Sequence, residues 1–351
     1  MDSQFENISA VKEYYGKVLK TNEDLKTSAC CTAETMPNYL KPIVAEIHDE
    51  VVSKFYGCGS PIPTVLEGKK VLDLGSGSGR DCYILSKLVG SQGHVIGVDM
   101  TEEQLAVAKR HVDYHTKKFG YSKSNVEFRQ GYIEDLKEAG IADNSVDLVV
   151  SNCVLNLSPN KKRVFSEILR VLKPGGELYF SDVFASRRIP ERLQKDPVLV
   201  GECLGGALYI EDFRRMLFDL GCPDYRIVSK TKLTLNNEEI EAKAGMIDFY
   251  SMTIRAFKVP LEDRCEDYGQ VAYYQGTVPQ FPHAFMLDDH HLFRTGMPVP
   301  VCSNTAAMLN QTRFAKHFKV IGDTSTHYGL FDCGPTPGTT ATADANIGAC
   351  C

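Results

Sequence analysis

Over residues 69–185 short β-branched runs alternate with longer stretches of helical period, the pattern of a parallel sheet with crossover helices. Residues 71–74 read as a first strand and residues 81–88 as the helix after it. Residues 94–98 form a second strand ending at Asp99, and residues 101–119 predict one continuous helix whose opening, Thr101-Glu-Glu-Gln104, has the form of a capping box. Further strands are expected at 126–129, 146–150 and 176–182. A helix over 161–172 is stopped by Lys173-Pro-Gly-Gly176, because proline lacks the N–H a helix needs and glycine weakens it. The predicted fold class is α/β, a doubly wound, mostly parallel sheet.

The flanks read differently. Helices are expected over 8–19 and 38–55, on either side of a polar stretch carrying Cys30 and Cys31, and together they would cap the sheet. Residues 190–220 are helix-rich and interrupt the sheet before strands near 226–230 and 251–258. After Pro260 the pattern is irregular, with the aromatic strand Val271-Ala-Tyr-Tyr274, many prolines, and an ending rich in Gly, Thr and Ala. The expected division is an N-terminal helical cap over 1–65 and a central domain over 66–258 with a helical insertion at about 186–225. A small C-terminal α+β domain with a disordered tail follows over 259–351.

Composition narrows the class. With 351 residues, 43% of them hydrophobic, the chain can bury full cores; a net charge of −6 argues against nucleic acid or an anionic membrane as general partner. The start is polar and no apolar run of about 18 residues occurs, so a cytosolic protein, expected to be a monomer, is the reading. In that compartment the twelve cysteines are weighed first as packing residues, metal ligands or redox groups.

The candidate chemistry begins at Val71-Leu-Asp-Leu-Gly-Ser-Gly-Ser-Gly-Arg80. Glycines at 75, 77 and 79 let a strand turn tightly into a helix and let backbone approach a ligand. A dinucleotide fingerprint has its third glycine three positions after the second, whereas here it comes after two. In open α/β sheets ligands sit beyond the carboxyl ends of the strands. There Asp99 is placed to accept ribose hydroxyls, Gly131-Tyr-Ile-Glu-Asp135 suits an adenine edge, and Ser151-Asn152-Cys153 follows the fourth strand. The candidate cofactor-binding residues are Tyr56, Asp73, Gly75, Ser76, Gly77, Asp99, Met100, Ile133, Glu134 and Asn152.

Three cysteines stand where one ligand would be reached from several sides. Cys153 is at the mouth of the sheet, Cys203 lies in the insertion that should roof the same crevice, and Cys58 sits in a glycine-flanked loop before the first strand. Together they would make a three-thiolate cage. Cys82 and Cys222 read instead as small buried hydrophobes.

At this point the runs Tyr56-Gly-Cys-Gly59, Asp73-Leu-Gly-Ser-Gly-Ser-Gly-Arg-Asp-Cys-Tyr83, Ser151-Asn-Cys-Val-Leu-Asn-Leu157, Gly175-Gly-Glu-Leu-Tyr-Phe-Ser-Asp182 and Gly201-Glu-Cys-Leu-Gly-Gly-Ala-Leu208 together resemble the arsenite methyltransferases, over roughly residues 15–258. The glycine motif and the run ending at Asp182 are generic to S-adenosylmethionine-dependent methyltransferases; the two cysteine runs at 153 and 203 are specific to the family. The resemblance implies a Rossmann-like methyltransferase sheet, S-adenosylmethionine as methyl donor, and arsenite and methylarsenite as substrates. It implies that Cys58, Cys153 and Cys203 hold trivalent arsenic and that Cys30 is the redox partner of Cys58. Cys31 adjoins Cys30 and offers the same role; Lys26-Thr-Ser-Ala29 aligns better with the family when Cys30 takes it. Cys350 and Cys351 resemble the family's cysteine-rich tails.

Soft trivalent arsenic selects thiolates, and its lone pair then needs only an aligned electrophilic methyl group. Methylation formally oxidises arsenic, so a Cys30–Cys58 disulfide cycle, recycled by glutathione or thioredoxin, would return the electrons. Two other readings stay open: a methyltransferase for an organic molecule such as a quinone or sterol, and a thiol-based zinc-binding or redox-sensing module. The three cysteines speak against the first, and the intact glycine loop with Asp99 speaks against the second.

Overall fold

The computed structural model of the chain describes residues 36–55, 57 and 60–333. The helix expected over 8–19 lies outside these residues, as do Cys30, Cys31, Tyr56, Cys58, Cys350 and Cys351. The central sheet has the order β3-β2-β1-β4-β5-β8-β7, from strands β1 (Lys70–Leu74), β2 (His94–Asp99), β3 (Val126–Gln130), β4 (Val146–Asn152), β5 (Leu172–Ala185), β7 (Tyr225–Lys232) and β8 (Phe249–Phe257). The short β6 (Leu208–Tyr209) pairs in parallel with β5. β1 pairs in parallel with both β2 and β4, and β2 with β3, so the chain reverses its direction of winding at β1. This places the ends of β1 and β4 side by side, Leu74 opposite Ser151, which is where doubly wound sheets open a crevice.

The described residues form two compact units. The first comprises residues up to 173, 178–213 and 230–253; the second comprises 174–177, 214–229 and 254–333. In the first, β1 and β4 are buried almost end to end, as expected for strands covered on both faces. One apolar cluster packs Val51, Val71, Tyr83, Leu105, Phe128 and Leu148; a second packs Val183, Leu193, Leu199, Leu204, Leu233 and Ile240 with Cys153 and Cys203.

The second unit is antiparallel. β10 (Val271–Tyr274) lies between β13 (Pro298–Pro300) and β14 (Phe318–Ile321), and β11 (Ala284–Met286) pairs with β12 (Leu292–Arg294). β9 (Glu266–Asp267) pairs with β15 (Gly329–Leu330), and one helix spans Ser303–Asn310. Its core is aromatic, with Tyr274, Phe285, Phe293, Phe314 and Phe318 all buried. Glu177 is wholly buried, held by Arg255 Nε at 2.6 Å and by Arg313. Removing either arginine would leave buried charge short of a partner.

Several elements depart from expectation for local reasons. The helix expected over 101–119 is two, Glu102–Arg110 and Val112–Lys118, separated at His111, whose backbone leaves helical geometry while its ring meets Glu50 Oε2 at 2.7 Å. The capping box does not form: Thr101 makes no side-chain cap, because its hydroxyl is engaged by Asp99. The segment 38–55 is likewise two short helices, Lys41–Val44 and Asp49–Ser53, the second capped by the His48 ring accepting the Glu50 N–H at 3.2 Å. Lys173-Pro-Gly-Gly176 ends the helix Lys161–Val171 as expected but forms no loop. It runs within β5, where Gly175 N–H donates to Lys258 O at 2.8 Å and Gly176 O accepts Lys258 N–H at 2.9 Å. The helix Glu238–Ala244, which the pattern did not reveal, is announced by Asn237, whose side chain accepts the N–H groups of Glu239 and Ile240.

Candidate active site

The loop after β1 is shaped by what surrounds it. Gly75 and Gly79 have φ of +70° and +89°, and a Cβ at either would stand 2.3 Å from Val154 or 2.8 Å from Phe128. Those two positions therefore exclude side chains on both conformation and space. Gly77, at φ +52°, has nothing within 4 Å of where a Cβ would be; there the backbone borders open space. Its N–H donates to Asp99 Oδ2 at 2.9 Å, and Thr101 N–H donates to Oδ1 at 2.7 Å, so one carboxylate at the end of β2 ties together two loops.

Beyond these strand ends lies a cleft of about 1070 Å³, counted with the space open to solvent. Asp73, Gly75, Ser76 and Gly77 line it from the first strand and its loop, Asp99 and Met100 from the second, Ile133 and Glu134 from the third, and Asn152 and Cys153 from the fourth. All ten are residues the sequence singled out. Asn152 Nδ2 donates to Asp81 Oδ2 at 3.0 Å, and Asp81 is gripped on its other oxygen by Arg80 at 2.9 and 2.7 Å. The Arg80 guanidinium in turn lies 3.2 Å from the Phe55 ring centroid, a cation–π contact that holds the chain entering the cleft.

The floor is acidic and buried. Burial, reinforced by the charge of Asp81, pushes the Asp73 carboxyl up to about 8, even though the Cys82 thiol donates to its Oδ2 at 3.1 Å. Burial also raises Asp99, against the N–H groups of Thr101, Gly77 and Met100 and the Thr101 hydroxyl, which favour its charged form. The Ser76 hydroxyl is buried with no hydrogen-bond partner among the described residues. A buried, unpaired hydroxyl and carboxyls held above their ordinary range together fit a ligand that brings hydrogen-bonding groups and positive charge.

Cys153 and Cys203 are brought together: the Cys203 thiol donates to the Cys153 carbonyl at 3.6 Å. Both have left-handed backbones, φ +57° and +61°. Both are also more buried than a crevice-edge position implies, with 5% and 1% of their surface exposed. Cys153 is disulfide-bonded, whereas Cys203 is not. Cys82 and Cys222 are buried, as their sequence contexts predict.

Comparison with known proteins places this geometry. A methyltransferase domain model matches residues 66–222, and the arsenite methyltransferase C-terminal domain matches residues 267–337. The arsenite methyltransferase of Aquipseudomonas alcaligenes is 55% identical over 327 residues, 93% of this chain and 94% of that one. The chain belongs to the arsenite methyltransferase family. The mouse arsenite methyltransferase is 47% identical over 310 residues, 88% of this chain and 82% of its own. The crystal structure of an arsenic(III) S-adenosylmethionine methyltransferase from Chlamydomonas reinhardtii superposes with a TM-score of 0.82 at 52% identity, covering 85% of this chain and all of that one. The Rossmann-like methyltransferase fold expected from the sequence is thus the fold of the family.

In this family member the cleft also recruits residues that the sequence did not single out: Asp81, Thr101, Gln104, Val154 and Ser158. Thr101 and Gln104 were masked by their resemblance to a capping box. Ser158, whose hydroxyl donates to Glu134, follows a 3-10 turn at Leu155–Leu157 that no periodicity announces. Among the described residues, no helix is long and apolar enough to cross a membrane.

Proposed function

We propose that this protein transfers the methyl group of S-adenosylmethionine to trivalent arsenic held by the thiolates of Cys58, Cys153 and Cys203. The observation that carries the reading is the meeting of Cys203 with Cys153 at the rim of a cleft whose floor is the glycine loop and Asp99. S-adenosylmethionine, when bound, supplies an electrophilic methyl on a positively charged sulfur. Asp99 lines the cleft beside the glycine loop, where its carboxylate can accept ribose hydroxyls. Asp73 and Asp81 offer negative charge to the cationic end of the ligand, which would relieve the raised carboxyl of Asp73. Ile133 and Glu134 offer an apolar face and an acceptor to the adenine.

The cysteines position the acceptor. Arsenic in a three-thiolate cage keeps a lone pair, and alignment with a methyl group about 3 Å away does most of the remaining work, with no general base required. The arsenic–carbon bond forms as the carbon–sulfonium bond breaks, and arsenic rises formally by two electrons. Oxidation of the Cys30 and Cys58 thiolates to a disulfide returns those two electrons, and glutathione or thioredoxin then regenerates the thiols.

Methyl transfer from labelled S-adenosylmethionine, with arsenite and a thiol reductant, tests the reading. Methylarsenicals dependent on arsenite, reductant and Cys203 are expected; their absence would discard it.

A further inference from the structure

Cys153 and Cys203 approach each other from two segments that are both laid against β5. On one side, Cys153 N–H donates to Ser181 O at 2.9 Å. Three residues on, Asn156 N–H donates to Asp182 Oδ2 at 3.0 Å, while Asn156 Nδ2 donates to Asp182 Oδ1 at 2.7 Å and to Val183 O at 2.6 Å. Consecutive residues of β5 therefore hold both ends of the stretch 153–156. Asn156 and Asp182 are both buried, and hydrogen bonds to a carboxylate are among the stronger ones. Lys161, whose Nζ donates to Ser158 O at 3.0 Å, lends Asp182 positive charge from beyond the same turn.

On the other side, Cys203 leads through Gly205 and Gly206 into β6, where Leu208 pairs with Phe184 and Tyr209 with Ala185. The loop is folded closely on itself, with Leu204 N–H and Gly205 N–H both donating to Leu199 O, at 2.8 and 2.7 Å. Gly206 is where it meets the first segment. A Cβ at Gly206 would stand 2.1 Å from Asn156 O and 3.0 Å from the Asn156 carbonyl carbon, nearer than a side chain can come. Gly206 is not among the glycines of positive φ, so close approach rather than backbone conformation requires glycine here. What it meets is backbone that Asp182 fastens through the N–H of the same residue, not the mobile end of a side chain. The contact of Gly206 with Asn156 thus lies three residues along each segment from the contact of Cys203 with Cys153.

We propose that Gly206 and Asn156 are positioning residues for the arsenic site: the seat of Gly206 on the Asn156 carbonyl, fastened by Asp182, is a clamp that sets the span between the Cys153 and Cys203 thiols. The inference rests on the reading that these two thiols hold the arsenical, and adds what fixes their separation. Two thiolates chelate one arsenic only when their sulfurs stand at the span its bonds allow, so the pair is set for trivalent arsenicals with at least two replaceable ligands. A methyl group added at Gly206 would push the loop off Asn156 and carry Cys203 with it. The methyl-donor site should feel this little, because Gly206, Asn156 and Asp182 do not line the cleft. Contacts that orient a metal's ligands without touching the metal change affinity by about 10–100-fold, and the clamp is expected to act on that scale.

Phenylarsine oxide is the probe, because its arsenic takes two thiolates and needs no third cysteine. Full-length protein is reduced with a phosphine, desalted without oxygen and titrated while arsenic–thiolate absorbance is followed; the part that Cys203→Ser removes is the signal of the pair. Gly206→Ala should weaken that binding by about tenfold or more, while S-adenosylmethionine, titrated by calorimetry, binds within about twofold of the unaltered chain. Asn156→Ala should weaken it on the same scale, and the double variant by no more than the larger single loss, since both act through one contact. Unchanged arsenical affinity in Gly206→Ala overturns the clamp. An equal loss of both ligands, which a merely structural glycine would give, also overturns it, as do losses that multiply in the double variant. Circular dichroism checks folding, and Asp182→Asn, which keeps the volume but not both acceptor oxygens, carries the same expectations should Gly206→Ala fail to fold. If Cys203→Ser binds the probe as tightly as the unaltered chain, the thiol-pair reading fails and the clamp with it; loss in Cys203→Ser without loss in Gly206→Ala overturns the clamp alone.

Discussion

Asp99 accepts the backbone N–H of Gly77 at 2.9 Å, so the floor of the cleft is closed by a carboxylate one strand away from the glycine loop it orders. Asp99→Ala would orphan that N–H and the N–H of Thr101 while removing the acceptor offered to a ribose. Hydrogen bonds to charged groups contribute about 1.5–3 kcal/mol each, so S-adenosylmethionine should bind roughly a hundredfold more weakly. Asp99→Asn keeps one acceptor and should lose about tenfold. Isothermal titration with S-adenosylmethionine decides, and unchanged affinity in the alanine variant would remove Asp99 from the cofactor site.

Cys203 touches Cys153 but does not line the floor of the cleft. Cys203→Ser should therefore separate the two ligands. Arsenite affinity should fall by about a hundredfold, equivalent to ~2.7 kcal/mol, while S-adenosylmethionine affinity holds within about twofold. The chain has no tryptophan to report binding, so the ultraviolet absorbance of arsenic–thiolate bonds after reduction is the signal to follow. Retained arsenite affinity would sink the cage.

His115 is buried as the neutral tautomer. Its Nδ1 lies 2.8 Å from the His111 carbonyl and its Nε2 accepts the His48 N–H at 3.2 Å, so a second ring proton would face a donor. Burial lowers its pKa to about 4 from 6.5. Because the folded value is depressed, its contribution is complete above pH 6.5 and is lost as pH falls toward 4. Between pH 7 and pH 5 this one group should cost about 2 kcal/mol of stability. Urea unfolding at both pH values, with and without His115→Gln, should show the drop shrinking in the variant; an equal drop in both would contradict the assignment.

Phe213 packs its ring against Phe165, Phe180 and Phe184, with centroids 5.3, 5.9 and 5.4 Å away. It is wholly buried. Phe213→Ala should cost about 3–5 kcal/mol, seen as a lower urea midpoint at unchanged slope. A loss below about 1 kcal/mol would mean that the cluster closes over the cavity.

The strands around the cleft were legible because burial on both faces writes near-continuous apolar runs, and β1, β2 and β4 begin and end within two residues of their predicted limits. The glycine loop and Asp99 were legible because backbone geometry constrains residue type. What escaped is set by tertiary contact. The breaks at His48 and His111 follow from side chains that find partners tens of residues away, and the course of β5 through Pro174-Gly-Gly176 depends on Lys258. The approach of Cys203 to Cys153 was expected from their places at the mouth of the sheet and in the roofing insertion, whereas their shared burial required the fold.

Cys153 and Cys203 carry positive φ, a region in which a side chain bearing Cβ costs roughly 1–2 kcal/mol. Glycine would relieve the backbone at both positions, and the glycine-rich segment that holds Cys203 shows that glycine is at home beside it. At these two cysteines the chain therefore bends against its own local preference, and their conformation is held by the fold around them rather than by the residues themselves.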